Sequence, residues 1–539
     1  MLKNKTLILM LAIVAMGLAA SAQQADNYPP DNTGVVITST NLPIVWIDVD
    51  GATIDRTERI TARMKVLHNG EGNLNYADTV AHPGQHIDYD GYIALRYRGN
   101  TSFSQSPKKP YSLHTMTAPL DAGGKKQRVS LLGMPKDNNW ALLAPYADKS
   151  MMRDLLTFSI ARQWMDYAPQ GRYCELYLDG TYYGVYILTE VVSKGSNRLN
   201  LDDPGEEGDE LTGGYLMEVD HNNEPNYTSK YAPVTNAGAV IKYKYIHMKY
   251  KSPDYEDFTT AQLNYIHSRI DQMEDALASD NYTDPATGYR QYLDMQSFID
   301  YQLVIEFSHN VDGYRLSAKF FKWRDSVDPR FKMVVWDSDQ TYGNSFKHNG
   351  WLTTTWIRLN NDIMANAGDS YLIPFWWRRL NSDPAYTAAL KARWAQYRQG
   401  NLREDRLMAT IDSLAMVLTS HGAESRNSQA WPRWGVWVWP NKYVATSHED
   451  EVNHMKQWIT DRLAWMDSQL GYTPPTHVRG DVNHDGSVDI SDVVLVIDYV
   501  LTGTTQEDQA AMDVTGNGVT DISDVTCLIN YILNGEYPD

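Results

Sequence analysis

Cysteine is almost missing from this chain, with only Cys174 and Cys527 in 539 residues. The two fall in regions assigned below to different domains, so a disulfide framework is excluded as the source of stability. Positive charge is in deficit: 48 Lys and Arg stand against 67 Asp and Glu, for a net charge of −19. That balance argues against binding nucleic acid through its phosphate backbone and favours a cation such as calcium as partner. After the first residues there is no apolar run of the roughly 18 residues that a membrane helix needs, so no membrane span is expected. Low-complexity tracts are also missing, and 42% hydrophobic with 21% charged residues is a globular composition. A chain of this length exceeds what one core holds, so a large and a small domain are expected.

What is present begins with Lys3 and Lys5, an apolar stretch from Leu7 to Ala20 and the small triplet Ala20-Ser21-Ala22. This order reads as a signal peptide over 1–22, and the mature protein is expected to be secreted. Alternating apolar and polar residues in V-V-I-T, I-V-W-I-D-V and Y-I-A-L-R-Y-R predict strands from Val35 to about Tyr111. Helical spacing follows at 149–166, and then two strands around the turn Asp179-Gly180. Further helices are expected at 256–278, 291–309, 371–421 and 449–470, with a strand pair at A-K-F-F-K-W and F-K-M-V-V-W-D. The fold class is therefore α+β, β-rich early and helical late, over 35–471. A short Pro/Thr linker at 472–479 leads into a final domain over 480–539.

That final domain repeats itself at a period of 32 residues: D-V-N-H-D-G-S-V-D-I-S-D spans Asp481–Asp492 and D-V-T-G-N-G-V-T-D-I-S-D spans Asp513–Asp524. Calcium takes six to eight oxygens at about 2.3–2.6 Å, and a twelve-residue loop supplies them from positions 1, 3, 5, 9 and 12 with Gly at 6. Asp481, Asn483, Asp485, Asp489 and Asp492 fit, with Gly486 at the sharp turn. The second loop offers Asp513, Thr515, Asn517, Asp521 and Asp524, and Thr515 in place of a carboxylate or amide predicts a weaker site. One helix after each loop, Asp at the loop end and D-I-S-D-V at both helix starts resemble type I dockerins. The resemblance implies an all-α calcium-dependent plug for a cohesin domain on a scaffold, such as organises extracellular multi-enzyme assemblies. By position, Ser491-Asp492 and Ser523-Asp524 would meet the cohesin.

Four strings in the large domain stand out: Y-R-G-N-T-S-F-S-Q-S-P-K-K-P-Y-S-L (97–113), W-A-L-L-A-P-Y-A-D-K-S-M-M-R-D (140–154), E-F-S-H-N-V-D-G-Y-R (306–315) and V-V-W-D-S-D-Q-T-Y-G-N (334–344). Together they resemble the CotH family of atypical protein kinases, over about Leu42 to Gly471. The resemblance implies a kinase-like fold that binds ATP with Mg²⁺ or Mn²⁺ and transfers the γ-phosphoryl group to protein hydroxyls. The glycine-rich loop and the catalytic-loop strings of ordinary protein kinases are not there.

The residues themselves leave two readings at each position. Arg98, Asn100 and Ser102 form a polar turn after a strand, either a solvated turn or a cover for phosphates that Lys108 or Lys109 would reach. Asp312 beside Gly313 is either a turn residue or a carboxylate that accepts a substrate proton. Asp337 and Asp339, two apart, share a face if the preceding strand continues, which suits a metal. The family resemblance points to Asp312 as catalytic base and to Asp337, with Asp339 beside it, as metal ligand. Glu190 and Glu218 close strands and are candidates to line the nucleotide cleft, whereas Lys149 and Arg153 could form a solvated face. A different class of function, a catalytically silent module that binds glycan or protein, is suggested by W-P-R-W-G-V-W-V-W-P (431–440), against the plainer reading of a packed aromatic core. None of these strings resembles a glycoside hydrolase motif.

Overall fold

The computed structural model describes residues 34–474, 478–503 and 509–537. The signal peptide expected over 1–22 and residues 475–477 of the expected linker lie outside them. Two compact units form: one contains the residues up to Arg393 together with Thr410–Leu463, the other Trp394–Ala409 and everything from Ala464. Among the described residues no helix is long and apolar enough to cross a membrane.

The first unit opens with a closed barrel of β1 (Ile44–Asp48), β2 (Ile60–Leu67), β3 (Ile87–Tyr97), β4 (Tyr111–Met116), β5 (Asn139–Leu143), β6 (Gly171–Leu178) and β7 (Thr181–Glu190). Its order is β1-β2-β3-β4-β5-β7-β6, closed by the parallel pairing of β1 with β6. Period-two alternation sends Val45, Ile47, Met64, Val66, Ile93, Leu95, Leu113, Trp140, Leu142, Leu176 and Leu188 into one core. Helices α1 (Thr101–Gln105) and α2 (Arg153–Ala161) interrupt the strands. After the short α3 (Gly208–Leu211) comes a five-stranded sheet, in the order β12-β11-β8-β10-β9. Its strands are β8 (Tyr215–Val219), β9 (Asn226–Thr228), β10 (His247–Ser252), β11 (Ala318–Lys322) and β12 (Lys332–Val334). Helix α4 (Thr260–Ala278) starts at a capping box on Thr259 and Gln262, and α5 (Met295–Ser308) at the Asp294 cap. Late helices α6 (Asn361–Asn366), α7 (Trp376–Leu380), α8 (Pro384–Gln399), α9 (Glu404–Thr419), α10 (Ala423–Ala430) and α11 (His448–Leu470) complete the β-rich-then-helical order.

Three local expectations change. Val35–Thr38 is not a strand; Val35 and Ile37 are buried instead against Tyr182 and Trp431. The helix expected from Lys149 starts at Arg153, because Met151 adopts a left-handed φ of 62°. Trp431 is 5% exposed and Trp437 56% exposed, so the Trp-rich string is split between core and surface. Packing of α10 on β7 also explains Gly184: at φ 92° a Cβ there would lie 2.5 Å from Asn427 Oδ1, which accepts from the Val185 amide.

Within the second unit, α12 (Ile490–Thr502), the short α13 (Gln509–Met512) and α14 (Ile522–Asn534) follow the two loops. Its small core holds Val482, Val493, Val496, Ala511, Met512, Val514, Val525 and Leu528. Cys174 and Cys527 are both free and buried.

Candidate active site

Arg98 extends β3 into a turn whose Gly99 carbonyl and Asn100 Oδ1 are both held by the Arg56 guanidinium, at 2.7 and 2.8 Å. Its own guanidinium lies 4.9 Å from the centroid of Trp336, the residue before Asp337. A cavity of about 80 Å³ opens here, bounded by Arg98, Ser102, Asp148, Asp154, Asp337 and Asp339. A larger cleft of about 830 Å³ lies beside Asn139, Lys194 and Lys251. Lys251 is linked to Glu218, which it meets at 3.2 Å.

The carboxylates around the small cavity come from separate elements. Asp154, in the first turn of α2, accepts the Ser338 amide at 2.8 Å and so fixes the loop that carries Asp337 and Asp339. Asp337 is not on a continued strand, since β12 ends at Val334 and Asp337 itself has a left-handed φ of 62°. A turn, rather than the pleat, brings it to the cavity. Its carbonyl accepts from Asn310 Nδ2 at 2.8 Å and its Oδ2 from the Ser317 hydroxyl at 3.2 Å. Helix α5 ends at a left-handed His309, and the following turn presents Asp312, whose Oδ1 accepts from Arg315 at 2.6 Å and whose Oδ2 accepts from Gln340 at 3.3 Å.

Burial and mutual repulsion dominate the electrostatics. Burial, with Asp312 adding to it and Arg98 opposing, pushes Asp337 up to about 6. Burial and then Asp337 push Asp154 up to about 7, and burial followed by Asp337 and Asp154 takes Asp339 well above the carboxylate range. Glu218 is buried too, but the Lys319 and Lys251 ammoniums outweigh burial and hold it below its usual value. The all-oxygen donor set suits Mg²⁺ or Mn²⁺, and three crowded carboxyls beside one guanidinium are short of positive charge. Among the described residues no three Asp, Glu, His or Cys side chains are drawn together tightly enough to share an ion.

Other expected residues lie elsewhere. Lys109 is directed at its own loop, where its ammonium donates to the Phe103 and Ser106 carbonyls at 2.6 and 2.8 Å. Lys108 is fully buried and donates to the Val185 carbonyl and Asn427. Glu190 accepts from the Gln170 amide and the Tyr167 hydroxyl, away from the carboxylate cluster. Lys149 and Arg153 are no solvated face: both are buried, and Arg153 pairs with Asp148 at 2.5 Å and Glu451 at 2.8 Å. Sequence reasoning missed Asp154 and Arg315, although each closes one of the four strings, because no local pattern tells a buried acid or base at a string's end from an exposed one.

In the first C-terminal loop, Asp481 Oδ2 accepts the Gly486 amide at 3.2 Å, and its Oδ1 is buried without a hydrogen-bond partner. An orphaned buried carboxylate oxygen is what a calcium ion in the loop would satisfy, so the residues fit the ion. Asn483 and Asp485 face each other at 2.9 Å. Asp489 caps α12 through the Ser491 amide, and Asp492 takes the amides of Val482 and Asp489. The second loop repeats the scheme, with Asp521 capping α14, Asp524 taking the Thr515 and Asp521 amides, and Asp513 the Asn517 and Gly518 amides. Asn517 Oδ1 accepts the Val519 amide.

Fold and site thus define a two-part protein, a barrel-and-helix domain with a buried carboxylate cluster and a duplicated loop-helix module built for calcium. Protein-family comparison matches residues 95–466 to CotH kinase protein and residues 479–533 to the dockerin type I domain. The chain belongs to the CotH kinase protein family and carries a C-terminal type I dockerin domain. Dockerin type I domains bind Ca²⁺ and cohesin domains, and proteins that carry them are typically extracellular. No curated protein matches the chain.

Proposed function

We propose that this protein is a secreted kinase of the CotH type that transfers the ATP γ-phosphoryl group to protein hydroxyls while its dockerin tethers it to a cohesin-bearing scaffold. The observation that carries the reading is that Arg98, Asp337 and Asp339, from strings far apart in sequence, line one cavity, with Asp312 close enough to repel the Asp337 carboxylate. Phosphoryl transfer asks for positioning and charge stabilisation rather than covalent chemistry. Arg98, with Asn100 and Ser102 in its turn, faces the phosphates, and Glu218 borders the nucleotide side through Lys251. Asp312 Oδ2 accepts the proton of the incoming hydroxyl. Asp337 and Asp339 would hold Mg²⁺ or Mn²⁺, which neutralises charge on the phosphates when bound with the nucleotide. Burial of the carboxylates keeps competing water from the transferred group.

The test is incubation of the mature protein with γ-labelled ATP and Mn²⁺, with the protein itself and a dephosphorylated casein as acceptors. Label transfer by wild type, abolished in Asp312→Asn and Asp337→Asn variants that melt normally, supports the kinase. A second reading, a silent binding module, is favoured by the exposed Trp437 and Trp351, at 56% and 41%. It gains if neither label transfer nor an ATP-dependent thermal shift is found.

A further inference from the structure

Arg315 is 2% exposed, yet it is bonded on three sides. Its guanidinium donates to Asp312 Oδ1 at 2.6 Å, to Asp369 Oδ2 at 2.9 Å, to the Tyr371 carbonyl at 2.9 Å and to the Val311 carbonyl at 3.2 Å. Asp369 in turn accepts the Tyr371 amide at 3.0 Å and lies 3.1 Å from His348 Nε2. Tyr371 reaches across to Asn222 Oδ1 at 3.1 Å, and its ring meets His221 edge-on at 4.5 Å. The turn that bears Asp312 is thereby stapled to the segment 369–371, and that segment to the residues following β8.

We propose that Arg315 is a positioning residue for Asp312, and that Asp369 holds Arg315 in place for it. This role rests on Asp312 being the base of the proposed transfer. A carboxylate on a turn has free rotation about its side-chain bonds; a guanidinium held by three other acceptors removes it, because its planar fork fixes the direction of each N–H. Only Oδ1 is taken up at short range. Oδ2 has the long contact to Gln340 alone and stays available to an incoming hydroxyl. Lysine at this position would restore the charge but not the fork.

The experiment measures steady-state phosphoryl transfer by the full chain for Arg315→Met, Arg315→Lys and Asp369→Asn, varying ATP. A misplaced base costs turnover and not nucleotide binding, so kcat should fall about a hundredfold in Arg315→Met and about tenfold in Asp369→Asn, with KM for ATP within about twofold of wild type. Arg315→Lys should recover part of the loss. A purely structural arginine predicts instead that Lys and Met lose activity in step with melting temperature. Such a parallel loss, or Arg315→Met with wild-type kcat while Asp312→Asn is inert, overturns the role and leaves the kinase standing. A wild type that transfers nothing overturns both, and Asp369→Asn, which leaves the Arg315–Asp312 pair in place, guards against loss of folding in the arginine variants.

Discussion

Replacing Asp154 with Asn should stabilise the metal-free protein. Asp154 is buried, and its value of about 7 stands against 3.8 for the free side chain, because burial and Asp337 both penalise the charge. A carboxyl that binds its proton more tightly in the folded state contributes most at low pH. That contribution is intact below 3.8 and is lost as pH rises to about 7. Above pH 7 the roughly 3-unit difference corresponds to about 4 kcal/mol held against folding. Asn keeps the oxygen that accepts the Ser338 amide and removes the charge. With about 2.1 cal/mol/K of unfolding entropy per residue over 95–466, some 0.8 kcal/mol/K, the expected gain in Tm is about 5 °C. The assay is thermal melting of wild type and Asp154→Asn in excess EDTA at pH 8 and pH 4.5. The gain should be present at pH 8 and shrink toward pH 4.5, and Mn²⁺ should raise Tm in wild type more than in the variant. An unchanged or lower Tm for the variant at pH 8 in EDTA would refute the charge argument.

Chelation by EGTA should unfold the two 13-residue helices after the loops, read as lost helical circular dichroism, while the cooperative melt of the large domain persists. Asp481→Ala should weaken calcium binding by about tenfold or more and Thr515→Asp should tighten the second site, both read by calcium titration of the full chain. Arg153→Met strands the buried Asp148 and Glu451, which should cost about 3–5 kcal/mol and lower Tm by several degrees. Trp431→Ala should cost about 3–5 kcal/mol, whereas Trp437→Ala should stay within about 0.5 kcal/mol; equal melting of the two would contradict their burial.

The amphipathic period reveals what is half-buried and is silent on what is wholly buried. The alternation in β1 and β3, the hairpin at Asp179-Gly180 and the helix α4 were legible because one side of each pattern is polar or a turn residue marks the end. Val35–Thr38 reads equally as strand, and only its packing beside Tyr182 and Trp431 decides otherwise. The same limit applies to charge. Asp312 and Asp337 were visible as members of strings, but Lys109, equally prominent there, is bonded to its own loop, and Arg153 is an internal cross-link. Sequence gives a charge no depth. A lysine that caps two carbonyls and one that meets a phosphate have the same neighbours along the chain.

Both candidate cation sites are places where carboxylates are left electrostatically unsatisfied, and the two units can afford this to different degrees. In the large domain Asp154, Asp337 and Asp339 crowd together, yet the barrel has a core of more than twenty buried side chains, large enough to hold the fold without an ion on size alone. In the second unit the orphaned Asp481 oxygen sits above a core of nine buried residues, too small to bear an uncompensated acid. On the proposed function, metal there would be part of folding, while metal in the large domain would be part of chemistry. On the same proposal, a site whose scaffold is stable without its ion would be free to release and rebind that ion with each nucleotide, whereas a docking module whose fold depends on calcium would exist as a binding surface only where calcium is plentiful, as it is outside the cell.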